Sequence, residues 1–154
     1  SSAWPAMEAA SDRASVLAAV EENWKALKRA PEACRGDPEI VLCAVKQDWR
    51  AIESAADDCK SNREIVLAGI HRNGHVLGLA SDSLRCDHDV VLTAVQRAGE
   101  ALRFAGENLM GNRDIVLAAV KQSGLALEHA AESCKRDAEI VLAAVEQHGE
   151  AHQH

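Results

Sequence analysis

A chain of 154 residues, 47% of them hydrophobic, is long enough to bury a sizeable core. Its 17 Lys and Arg against 24 Asp and Glu leave a net charge of −7, which argues against general nucleic-acid binding and against a polybasic membrane patch. With three Trp, one Phe and no Tyr, the interior must be filled by Ala, Val, Ile and Leu, and no apolar run approaches the ~20 residues that cross a bilayer as a helix.

Residues 1–11 read as a degenerate N-terminal cap. From Asp12 onward a hydrophobic block returns every 25 residues without insertion: Ser15-Val16-Leu17, Ile40-Val41-Leu42, Ile65-Val66-Leu67, Val90-Val91-Leu92, Ile115-Val116-Leu117 and Ile140-Val141-Leu142. A fixed period of this length marks stacked structural repeats. Three residues before each block stands Asp12, Asp37, Asn62, Asp87, Asn112 or Asp137, whose side-chain oxygen can accept a free N–H of the first helical turn. Pro38 then falls where a missing N–H costs nothing. The spacing predicts a first helix, A, of about three turns, for example Pro38 to Gln47, apolar almost all round and therefore buried on several sides. Gly74, Gly99, Gly124 and Gly149 follow and read as left-handed helix stops.

A second helix, B, is expected next. Ala51, Ile52, Ala55 and Cys59 fall at i, i+1, i+4 and i+8, one apolar stripe on an otherwise charged segment. The expectation is an all-α chain, an α-solenoid of 25-residue two-helix repeats. Five units occupy residues 12–136, and residues 137–154 form a partial sixth, with His152 where helix B needs a Leu.

The string Asn112-Arg113-Asp114-Ile115-Val116-Leu117-Ala118-Ala119-Val120, followed by Gly124-Leu125-Ala126-Leu127, resembles the repeats of the family called domain of unknown function 4116. The resemblance covers about 12–149 and recurs in register, with Trp24 and Trp49 departing from the pattern in the Gly slot. It implies a helical repeat and carries no catalytic residues to transfer.

Cys34, Cys59 and Cys134 share one repeat position, held by Leu84 and Leu109 elsewhere, and read as small apolar core residues. Neighbouring repeats lie ~10 Å apart, too far for a disulfide, so a reducing intracellular or organellar compartment is favoured. Cys43 is expected to be buried. Cys86, just before the cap Asp87, is the thiol that a helix N-terminus could activate.

Four residues are candidates for contact with a partner. Trp24 and Trp49 share one slot in adjacent repeats, either stacked as an apolar ridge that anchors a partner or filling a gap between turns. Leu79 and Phe104 share a slot that holds Arg29, Ser54 and His129 elsewhere, forming either a contact patch or packing on the adjacent helix B. His71 and His75 have a metal-ligand spacing, but Gly74 interrupts their helix and no third ligand is evident. No phosphate loop, nucleophile motif or paired-carboxylate site stands out, so no catalytic residue, metal or cofactor is expected. The leading expectation is a non-enzymatic protein–protein interaction or scaffold module, in concrete form an accessory subunit of a larger organellar assembly, with oligomerisation through the open C-terminal end as one option. The alternative is the repeat region of a larger enzyme or effector whose catalytic part lies outside this chain.

Overall fold

The computed structural model describes residues 12–153, and the cap expected at residues 1–11 lies outside them. Five helices of ten residues begin 25 residues apart: α1 (Arg13–Glu22), α2 (Pro38–Gln47), α3 (Arg63–Arg72), α4 (His88–Arg97) and α5 (Arg113–Gln122). A sixth, α6 (Ala138–Gln153), is longer. Each starts at the Asp or Asn read from the sequence. Asp37 accepts the N–H groups of Glu39 and Ile40, Asp87 those of Asp89 and Val90, and Asp137 those of Glu139 and Ile140. Asn62 and Asn112 accept from Ile65 and Ile115, and Asp12 from Ala14.

The second half of each repeat departs from the expected helix B. A 3-10 helix comes first: η1 (Trp24–Arg29), η2 (Trp49–Ser54), η3 (Gly74–Leu79), η4 (Gly99–Phe104) or η5 (Gly124–His129). Two extended residues break it, such as Ala55 (φ −79°, ψ 152°) and Ala56 (φ −69°, ψ 159°), and a single α-turn follows, such as Asp57–Lys60. The stripe of Ala51, Ile52, Ala55 and Cys59 is buried as expected. It survives because Ile52 and Ala55 are one 3-10 turn apart and share a face. The break also frees a backbone N–H to bond the neighbouring repeat: Ala56 donates to the Arg35 carbonyl at 2.8 Å, Gly106 to Arg85 at 2.8 Å and Ala131 to Met110 at 2.9 Å.

The chain divides into two compact units, residues 1–69 and 70–154. In the first, α1 packs on α2, and η1 and η2 form the facing layer. In the second, α4 packs on α5 and α5 on α6, with η3, η4 and η5 facing them. The cores are aliphatic: Val16, Val20, Ile40, Val41, Ala44 and Val45 in the first, and Val90, Val91, Val95, Ile115, Val116 and Val120 in the second. Each Val or Ile contributes about 1.5–3 kcal/mol when fully buried.

The glycines have a different role from the one expected. Helix α3 ends through an extended residue, Asn73 (φ −156°, ψ 111°), not a left-handed one. Gly74, Gly99 and Gly124 are the first residues of η3, η4 and η5, and each lies against the next long helix. A Cβ there would press into the carbonyl oxygen of Ala94, Ala119 or Ala144, closer than real Cβ atoms come. Close approach of backbones, not a special φ, selects glycine here. Gly149 meets nothing within 4 Å and does not end α6, which runs on to Gln153.

Candidate functional site

In the first unit the glycine slot is filled by Trp24 and Trp49, the opening residues of η1 and η2. Both indoles are half-buried. The Trp24 ring lies in the wall of a groove of about 800 Å³ bounded by α1, η1 and η2; Trp49 does not line it. Two cations flank the Trp24 ring, the Lys25 ammonium 5.9 Å and the Arg50 guanidinium 5.6 Å from its centroid, within reach of the ring quadrupole.

Asp48 aims Arg50. Its carboxylate takes Arg50 Nε at 3.0 Å and Nη2 at 2.7 Å, and also caps η2 by accepting the Arg50 backbone N–H at 2.9 Å. A carboxylate receiving a guanidinium fork and a backbone N–H strongly favours its charged form. The Arg50 side-chain bonds, followed by the backbone bond, draw Asp48 down to about 2.

Leu79 and Phe104 are half-buried at the ends of η3 and η4 in the second unit. Phe104 has a packing partner that sequence reasoning missed, the backbone of Gly78. A Cβ at Gly78 would stand 2.9 Å from the Phe104 ring. The ring also meets His75 edge-on at 6.3 Å and carries Arg103 at 4.6 Å. The signal was present: Lys28, Glu53, Arg103 and Glu128 occupy the slot in which Gly78 stands.

One charged contact is found in both units, four repeats apart. Arg13 Nε donates to Asp37 at 2.5 Å and its Nη2 to Glu39; Arg113 Nε donates to Asp137 at 2.9 Å and its Nη2 to Glu139. Arg13, Arg63 and Arg113 alternate with Pro38, His88 and Ala138 at the same repeat position. The pattern therefore has a period of two units. The family model described as Domain of unknown function (DUF4116) matches residues 12–60, 62–110 and 112–151, and each match opens on the cap preceding one of these arginines. The chain belongs to the DUF4116 family. The family model takes two 25-residue units at a time, as the alternating arginines do. No curated protein and no solved structure matches the chain.

Elsewhere in the DUF4116 array, the translation between η4 and η5 brings Glu100 together with Glu128 and His129, ligand-type atoms within 4.8 Å of one another on the surface. The cluster carries no short-range sequence signature, because Glu100 and His129 are 29 residues apart. All five cysteines are free: Cys34, Cys59 and Cys134 are buried, Cys86 is exposed, and Cys43 is half-buried rather than buried. Burial raises the Cys34 and Cys59 thiols above their ordinary range. In the second unit Leu125, Leu142 and Val145 expose more than half their surface. No helix among the described residues is long and apolar enough to cross a membrane.

Proposed function

We propose that this DUF4116 array is a non-enzymatic protein–protein interaction or scaffold module, acting as an accessory subunit of a larger assembly, and that the groove beside Trp24 is its contact face. The observation that carries the reading is the half-buried indole, set between two cations in the wall of an open groove. Interface hot spots are enriched in Trp and Arg and lie in pockets that desolvate on binding. The buried residues among those described are all apolar, so the rigid interior supports the surface, and the residues that vary from repeat to repeat are the ones presented to a partner.

The test is capture from the native source with the intact chain, beside Trp24→Ala and Phe104→Ser variants of verified fold. A stoichiometric partner retained by the parent and by Phe104→Ser but lost with Trp24→Ala is the expected result. Equal retention by all three would remove the groove from the reading, and an absence of any stoichiometric partner would remove the module.

A further inference from the structure

We propose that the bare face of α6 pairs with the same face of a second copy of this chain, closing a two-fold dimer. The inference is independent of the Trp24 groove.

The face is the one on which repeats stack elsewhere in the chain. The positions equivalent to Val145 in the other long helices are Val20, Val45, Ile70, Val95 and Val120, all fully buried. In the second unit the following long helix packs over them, α5 over α4 and α6 over α5. On α6 itself Ile140 and Ala144 stay buried, but Val141 is half-buried and Leu142 and Val145 are more than half exposed. Leu127 in η5 is likewise half-buried, where Leu77 and Leu102 are buried.

Two observations set the occupant apart from one more repeat. First, α6 does not stop after ten residues. It runs on to Gln153, through the stretch where the other repeats open a 3-10 helix, so no sixth 3-10 segment stands among the described residues for a further repeat to rest on. Second, Leu125 occupies the slot whose side chains meet the following repeat, as His75 meets Phe104 and Glu100 meets His129. That slot is polar in the other four 3-10 segments, with Lys25, Arg50, His75 and Glu100, and apolar only on the bare side.

α6 presents a helix–helix seam instead. Ala138, Val141, Leu142, Val145 and Gly149 fall at i, i+3, i+4, i+7 and i+11, one stripe with helical spacing. Glu139 and Glu146 lie to its side. Glycine inside a helix costs about 1 kcal/mol relative to alanine, and within the chain nothing stands within 4 Å of a Cβ added at Gly149. An approaching helix gives that open space a use. With two copies antiparallel about Val145, Leu142 of one lies over Gly149 of the other, and the two-fold makes the contact twice. A head-to-tail contact would have to use α1, which carries Ser15 where α2 to α6 carry Ile or Val, its hydroxyl bonded to Asp12. The α6 face is therefore its own best match.

The experiment is sedimentation velocity on the full chain. The seam is three turns long, about 17 Å, at the small end of stable interfaces, so a dissociation constant on the order of tens of micromolar is expected and the range is about 1 to 300 µM. At its lower end the copies are apart, and substitutions on α6 act there on the single chain. Dimers and no larger species are expected at the upper end. Val145→Glu sets two carboxylates against each other and should weaken the dimer at least about tenfold. Leu142→Ser should weaken it too, and both alter exposed positions, so circular dichroism should show the fold intact. Gly149→Leu should strengthen the helix yet weaken the dimer, the reverse of a purely structural effect. Trp24→Ala should leave it unchanged. A monomer throughout the range would overturn the proposal, as would a dimer indifferent to Val145→Glu and Leu142→Ser. Growth beyond the dimer would replace the two-fold with head-to-tail stacking and overturn it as well.

Discussion

The same repeat position is tryptophan in the first compact unit and glycine in the second, and the two solutions handle the backbone differently. In the second unit Gly99 and Gly124 bring η4 and η5 against the carbonyls of the following helices, and their N–H groups are taken by Gln122 Oε1 at 3.0 Å and Gln147 Oε1 at 2.5 Å. In the first unit Trp24 stands in that slot, and Gln47, the equivalent of Gln122, instead donates its amide to the Val20 carbonyl at 2.7 Å. The N-terminus of the 3-10 helix is capped locally there, by Asn23 or Asp48, as η3 is by Asn73 before Gly74 in the second unit. Where glycine lets two backbones touch, the slot has no surface to offer. Where Trp24 fills it, the next residue and the next repeat supply cations, and a groove results.

The largest effect is expected from erasing this difference. Gly99→Val puts branched carbons into the Ala119 carbonyl and should cost about 3 kcal/mol in urea denaturation, near the upper end for overpacking. Trp24→Gly should cost clearly less, because nothing in the first unit has closed around that slot. Equal losses would show that the slot is energetically the same in both units.

Gly78→Ala is next. Its Cβ meets the Phe104 ring at 2.9 Å, and a loss of about 1–2 kcal/mol is expected, of which at least half should return in Gly78→Ala/Phe104→Leu. A strictly additive double variant would rule out the contact as the cause.

The acid limb of the stability curve should also separate the units. Asp48 has an ordinary carboxyl value of 3.8 and is held at about 2 in the folded chain. A depressed folded value stabilises above the unfolded one and is lost as pH falls through the folded one, so Asp48→Asn should flatten the curve between about pH 4 and 2. Asn73, Ala98 and Ser123 stand at that position in the second unit, and none of them carries a carboxylate to remove. An unchanged acid limb in Asp48→Asn would mean that the fork to Arg50 does not persist in solution.

The smallest effect is expected at Val145, 62% exposed on α6, where Val145→Ser should change stability by less than about 0.5 kcal/mol. Its counterpart Val120, fully buried, should lose several times that on the same substitution. A comparable loss at both positions would indicate that the Val145 face is covered in solution.

The long helices were legible in the sequence because three signals agreed. Asp37 caps, Pro38 fixes the first turn, and Ile40, Val41, Ala44 and Val45 lie on faces that close packing covers. The 3-10 segments were not. The stripe Ala51, Ile52, Ala55, Cys59 satisfies an α-helical period, and an Ala-Ala pair such as Ala55-Ala56 carries no local mark of an extended break. Only the hydrogen bond that Ala56 gives to Arg35, a contact 21 residues away, makes the break worthwhile. The glycines misled for a related reason. A glycine after a helix reads as a cap, while the carbonyl it approaches belongs to the next repeat and is invisible to local pattern. Trp24 was singled out correctly as unusual for its slot. That Arg50 lies over it, and that Phe104 rests on Gly78, were not read from the sequence, because both contacts join residues 26 apart that only the stacking of repeats brings together.

The alternating arginine sets a rule for how such an array can lengthen. Excising residues 37–61 would join the chain after Gly36 to Asn62, and Arg13 would then face a neutral amide cap where it now meets the Asp37 carboxylate. Excising 37–86, two units, would bring it to Asp87 and restore the charge pair. Insertions follow the same arithmetic, so gain or loss of sequence by pairs of repeats keeps each of Arg13, Arg63 and Arg113 24 residues before an aspartate, and a step of one leaves a mismatch at the seam.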